Sequence, residues 1–167
     1  MKTNGSIYVV VVASLLTGYF TYQWWFNQNR VVKRRLGELA STLTAPAGEA
    51  DLDRLARLAR LRQFLADDIQ VTAGRSAAPV SSRDAVMAAA AAWRPEGGGT
   101  VDFVDVDVKV DAADARAYLT AEVTTRNPKT DEPILDSRDA ALSLVKRDGA
   151  WVVSVVELKE PTPPSRP

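Results

Sequence analysis

Beyond Thr100 the hydrophobic period of this 167-residue chain changes from helical to two and stays so to Lys159. In "VDFVDVDVKV", Val104, Val106, Val108 and Val110 are expected on one face and Asp105, Asp107 and Lys109 on the other. "ARAYLTAEVTT" sets Ala117, Leu119, Ala121 and Val123 against Arg116, Tyr118, Thr120, Glu122 and Thr124, and "DSRDAALSLVKR" and "AWVVSVVELK" complete four long strands. Asp148-Gly149 is the strongest hairpin signal, and "NPKTDEP" (residues 127–133) is a longer, proline-bounded loop. Four such strands in series predict an antiparallel meander.

The residues before Thr100 supply what covers that sheet. Val32, Leu36, Leu39, Ala40 and Leu43 recur at helical spacing, predicting a helix over 31–44. Pro46 and Gly48 end it, and Asp51 is the expected N-cap of a second helix striped by Leu52, Leu55, Leu58, Leu61 and Leu65. Its other face, Arg54, Arg57, Arg60 and Arg62, reads as solvated. "DDIQVTAG" reads as a short strand. Ser81 and Asp84 match a capping box at the head of the alanine-rich "RDAVMAAAAAW", whose small side chains allow close approach to a sheet. Three helices followed by strands make the fold class α+β, with the helices on one face of a bent sheet.

The other constraint is at the start. From Thr3 to Asn29, 27 positions pass without a charged residue. About 20 apolar residues cross a bilayer core, and residues 7–26 supply them, with Ile7, Val10, Leu15, Leu16, Phe20, Trp24 and Trp25 as the expected anchor residues. Tyr19, Tyr22, Trp24 and Trp25 fall where an interfacial aromatic belt belongs. Gly18, Tyr19 and Phe20 followed by two Trp residues make a poor cleavage site, so the segment reads as an uncleaved anchor. The organisation expected is an anchor over 1–29, one folded domain over 30–159 and a disordered proline-rich tail over 160–167. Arg30, Lys33, Arg34 and Arg35 after the span favour a cytoplasmic domain under the positive-inside rule, unless they are a solvated helix face.

Composition removes several chemistries. With neither Cys nor His, the chain lacks thiol catalysis, zinc-thiolate sites, histidine bases and histidine metal ligands. Twenty-one basic and 21 acidic residues cancel, so no overall charge draws it to nucleic acid. Asp102, Asp105, Asp107 and Asp111 lie along a strand and do not converge around a turn as a calcium loop does, and "EGGG" lacks the Lys-Ser/Thr of a phosphate loop. No metal and no cofactor is expected.

The order of these elements, with "LADDIQV" after the second helix, the acid-capped "SRDAVMAAAAAW" and the closing "RDGAWVV" hairpin, resembles the NTF2-like superfamily over roughly residues 31–159. The resemblance implies a cone, a curved sheet wrapped around helices, with Trp151 opening the last strand and packing into the core. It is closest to a membrane-anchored variant. Two single-pass groups, the inner-membrane scaffold component of type IV secretion systems and the membrane proteins of mycobacterial lipid-import complexes, resemble it in tethering such a domain on the periplasmic or outer side. Enzymes of the superfamily, of the SnoaL and ketosteroid-isomerase type, resemble one another in placing a carboxylate base inside the cone. Here the candidates are Glu122 with Tyr118, and Asp139 or Asp136. The simpler reading makes Arg116, Glu122, Arg138 and Lys146 cross-strand charge partners on the solvent face.

These readings favour a non-catalytic domain, single-pass in the bacterial inner membrane, binding a partner protein or a small apolar ligand of the cell envelope; the resemblance to the membrane-bound groups implies the periplasmic side, whereas the charges after the span favour the cytoplasmic one. The alternatives are an isomerase or dehydratase using a carboxylate in the cone, and a self-assembling, dimeric scaffold subunit.

Overall fold

The structure is a computed structural model that describes residues 4–74 and 78–159, though within the first helix not the side chains of residues 4–12, 21 and 23–27. Helix α1 (Asn4–Leu43) runs unbroken through residue 29, a length of about 60 Å at 1.5 Å per residue. Its two halves differ. Residues 13–20 and Tyr22 are exposed, whereas Val32, Leu36, Leu39 and Ala40 are buried at the i, i+4, i+7, i+8 spacing of one helical face. Arg35 belongs to the domain too: Nε donates to the Trp151 carbonyl at 3.3 Å, Nη2 to the Gln63 carbonyl at 3.1 Å, and its guanidinium stacks 3.8 Å from the Phe64 ring centroid.

Helix α2 (Asp51–Arg62) has Asp51 and Asp53 in its first turn and Arg60 and Arg62 in its last, which complements the helix dipole. The N-cap is Ala50, one residue before the expected Asp51, and makes no side-chain cap. The inward stripe is also rotated from expectation. Arg57, Leu58 and Leu61 are buried, while Leu52 and Leu55 are exposed. Helix α3 (Arg83–Ala92) is capped by Ser82, not Ser81; the Ser82 Oγ accepts the Ala85 N–H at 3.2 Å.

Strands β1 (Leu65–Ala73), β2 (Val80–Ser81), β3 (Gly99–Asp111), β4 (Asp114–Arg126), β5 (Pro133–Arg147) and β6 (Ala150–Leu158) form one sheet in the order β2-β1-β6-β5-β4-β3. β3 to β6 are the predicted meander, and β1 adds to β6 in parallel. The β5–β6 turn has Asp148 at φ 51° and Gly149 at φ 81°, the double left-handed pair of a type I′ turn. β4 alternates as expected, with Ala115, Ala117 and Leu119 buried.

β3 does not keep strict alternation. Asp105 takes φ 52°, and the register with β4 shifts between Val104 and Asp107. This bulge inserts one residue, so the core face runs Val101, Phe103, then Val106, Val108 and Val110. Val104, expected with the later valines, lies opposite Thr120 and away from the core.

The core lies between the helices and the concave face of the sheet, with Leu36, Leu61, Ile69, Leu144 and Val32 its largest fully buried side chains. Trp151 opens β6 and is 3% exposed, as the family resemblance implies.

Candidate functional site

The core is not filled to its end. A cavity of about 430 Å³ remains between the sheet and the helices, within the range of small-molecule sites. Leu119, Ala121 and Val123 of β4 and Ala140 and Leu142 of β5 alternate onto its floor, and Val153 and Val156 of β6 join them, brought to one face by the register shift between β5 and β6 at Ser143 and Leu144. Leu39 and Leu43 of α1 and Val86 and Ala90 of α3 form the roof. The small residues Ala90, Ala121 and Ala140 leave the volume that larger side chains would occupy.

Arg57 is the one charged side chain in this lining. It is already matched, because Nε donates to Glu49 Oε1 at 2.8 Å and Nη2 to Glu49 Oε2 at 3.0 Å. Both side chains are only 10% exposed, so the pair sits where a lone charge would be costly. The sequence reading missed it by counting Arg57 among solvated arginines. The available signal was its place beside Leu58 and four residues before Leu61, inside the buried stripe.

Residues 45–49, which carry Glu49, are held against β3. Ala45 and Gly99 bond backbone to backbone, and the Thr44 Oγ1 accepts the Val101 N–H at 3.0 Å. Gly98 at φ 78° lies so near that a Cβ there would be 2.7 Å from the Ala47 nitrogen.

The carboxylates singled out as bases do not line this cavity. Glu122 stands between Asp102 on β3 and Ser137 on β5, on the face opposite Ala121 and Val123. Asp139 is on that outer face as well, accepting a hydrogen bond from Thr120 Oγ1 at 3.2 Å. Tyr118, 41% exposed, lies between Asp107 and Ala141. Asp136 shares the concave register with Val123, yet it is exposed on the stretch of β5 beyond the cavity and paired with Arg138 at 3.1 Å.

The expected cross-strand charge partners are arranged otherwise. Arg138 pairs along its own strand, Arg116 stands between Lys109 and Ser143, and Lys146 lies opposite Trp151 with its Nζ 5.9 Å from the ring centroid.

Among the described residues no three acidic side chains gather as a metal site would need. Among the same residues no helix is long and apolar enough to cross a membrane. Of the expected anchor residues, Leu15, Leu16 and Phe20 are exposed, while the side chains of Ile7, Val10, Trp24 and Trp25 lie outside the described ones. The tail over 160–167 lies outside the described residues too.

No family model and no curated protein matches the chain. Solved structures do, at the level of fold. A provisionally named scytalone dehydratase from Novosphingobium aromaticivorans superposes with a TM-score of 0.64 at 15% identity, covering 82% of this chain and 86% of its own. An NTF2-like protein with a cystatin-like fold from the same organism gives 0.62 at 13% identity, covering 84% and 86%. The association domain of C. elegans CaMKII gives 0.56 at 8% identity, covering 80% and 93%. The fold is therefore the α+β cone of NTF2-like proteins.

Proposed function

We propose that this chain is a non-catalytic NTF2-like domain that binds a small apolar ligand inside its cone and is held at a membrane by the first half of α1. The observation that carries this reading is the cavity lining: 19 residues, of which only Arg57 is charged, and its charge is matched by Glu49. A base or acid must reach the reacting atom, and none of Glu122, Tyr118, Asp136 or Asp139 lines the space where a ligand would sit. An apolar cavity with no acid–base pair favours binding over turnover.

The membrane part rests on the charge-free run from Thr3 to Asn29 and on the exposed Leu15, Leu16, Tyr19, Phe20 and Tyr22 on a helix that continues into the domain. In water that apolar surface is unfavourable, and in a bilayer it is not. The anchor would then join the domain through continuous helix. Arg35 is bound to the domain's own carbonyls, which weakens the case for counting it as a topological charge and supports the periplasmic side of a bacterial inner membrane.

Titration of the full chain in nanodiscs with Nile red, a neutral apolar dye, tests the cavity. Saturable, blue-shifted fluorescence beyond that of empty nanodiscs is expected; a non-saturating signal equal to that of empty nanodiscs would contradict it. Alkaline phosphatase and a cytoplasm-fluorescent reporter, each fused after Lys159, test the side: active phosphatase with a dark reporter is expected.

A second reading, self-association through the outer sheet face, is favoured by Tyr118 and Leu135, both exposed there. Sedimentation at several concentrations, in detergent, separates a dimer from a monomeric binder.

A further inference from the structure

Helix α2 carries two apolar faces. Leu58 and Leu61 enter the core, while Leu52, Leu55, Ala56 and Ala59 form a second stripe at the i, i+3, i+4, i+7 spacing, and all four are exposed. Leu52 and Leu55 are 79% and 58% exposed, an apolar surface whose covering by another helix is favourable. The charges around the stripe say which helix. The acids of α2, Asp51 and Asp53, stand in its first turn, and its exposed bases, Arg60 and Arg62, in its last. A helix polarised in this way complements an antiparallel copy of itself. We propose that this face of α2 docks on the same face of a second copy of the chain, as an antiparallel, two-fold symmetric helix pair centred between Leu55 and Ala56.

Size and charge set the register. With that centre, Leu52 lies opposite Ala59 of the second copy and Leu55 opposite Ala56, so each large side chain meets a small one and the axes approach to about 8 Å. A two-fold axis perpendicular to the helices brings each flank of the stripe against the same flank of the second copy. At about 100° per residue, Asp53 and Arg60 share one flank and Asp51 and Arg62 the other. Asp53 therefore faces Arg60 of the second copy, and Arg60 faces its Asp53. Neither is in an ion pair with a described residue of its own chain. On the other flank Asp51 faces Arg62, which Asp84 already holds at 3.2 Å, so that pair contributes less. A parallel pair would set acidic turn against acidic turn. The surface lies on the helical side of the domain, apart from the outer sheet face, and depends on neither the cavity nor the membrane reading. A helix of 12 residues is about 18 Å long, so the interface is small and is best read by trapping it covalently.

The chain has no cysteine, so single introduced cysteines report the pairing without interference. Intermolecular disulfide formation would be followed in the full chain in detergent, with Thr130→Cys on the exposed β4–β5 loop as the collision control. Leu55→Cys and Ala56→Cys are expected to cross-link roughly tenfold faster than that control, because docking holds the two sulfurs together. Residue 52 stands about 10 Å along the axis from residue 52 of the second copy, beyond disulfide reach, and the same holds for residue 59. Leu52→Cys and Ala59→Cys are therefore expected to match the control when alone and to cross-link rapidly when mixed. Adding Asp53→Arg to Leu55→Cys is expected to slow its cross-linking several-fold, and Asp53→Arg with Arg60→Asp to restore it. Rates at Leu55→Cys and Ala56→Cys no faster than the control would overturn the pairing. Rapid cross-linking of Leu52→Cys or Ala59→Cys alone would overturn its antiparallel sense, and indifference to Asp53→Arg would overturn its register. All the substituted side chains are exposed, so the variants are expected to fold.

Discussion

Ala45 and Gly99 each donate a backbone N–H to the other's carbonyl oxygen at 2.8 Å, which ties the residues just after α1 to the first residue of β3. Next to this bridge, Gly98 fits only because it lacks a Cβ. Gly98→Ala combines a left-handed backbone with a 2.7 Å approach to the Ala47 nitrogen, and it is expected to cost about 2–4 kcal/mol. Gly149→Ala, at φ 81° with open space around it, bears the backbone cost alone, about 1 kcal/mol. Denaturant midpoints of the two variants check the difference; equal losses would mean the close approach at Gly98 does not matter.

The second half of α1 holds the domain together. Leu36 is 1% exposed, so Leu36→Ala is expected to destabilise by about 2–5 kcal/mol. Leu52, 79% exposed, shared a predicted stripe with Leu58 and Leu61, yet Leu52→Ala is expected to change stability by no more than about 0.5 kcal/mol. A large loss at Leu52 would restore the sequence-derived face of α2.

The Arg147 guanidinium donates to both oxygens of Asp68, at 2.9 and 3.0 Å, and this hydrogen bonding holds the Asp68 carboxyl below its ordinary value of 3.8. A depressed folded-state pKa gives stability that is present above 3.8 and lost as pH falls from 3.8 through the folded value. Asp68→Asn is therefore expected to flatten the acid limb of a stability–pH profile in that window. Both side chains are well exposed, so the effect should be small and shrink with added salt. An unchanged acid limb at low salt would show that the pair contributes nothing.

Membrane attachment is tested at Leu15 and Leu16, exposed on α1 and inside the charge-free run. An arginine near the centre of a span costs about 2.5–3.5 kcal/mol. Leu15→Arg/Leu16→Arg is expected to shift the chain from the carbonate-washed membrane fraction into the supernatant. Retention of the double variant in the membrane would place the anchor elsewhere.

How far the fold is legible varies by element. β4 was readable because it runs without a bulge, so period two in sequence is period two in space. β3 was readable as a strand but not in its facing. Asp105 adopts a left-handed conformation that nothing in "VDFVDVDVKV" announces, and one inserted residue turns Val104 outward. The parallel pairing of β1 with β6 joins Val71 to Val156, a separation at which local pattern carries no information. Arg57 was misplaced because an arginine on an amphipathic helix is ordinarily solvated; its partner Glu49 lies eight residues back, across a loop that the Ala45–Gly99 bridge and the Thr44–Val101 hydrogen bond hold against β3. The candidate bases were placed on the right strands, but the side of the sheet that each faces decides their chemistry.

The most direct test of the account is methyl NMR of the full chain in nanodiscs with and without dodecan-1-ol. The account predicts saturable shifts at the methyls of Leu119, Leu142, Val153 and Val156, which line the cavity, and none at exposed Leu52, Leu55, Ile134 and Leu135. Shifts confined to the exposed methyls, with the cavity methyls unmoved, would contradict it.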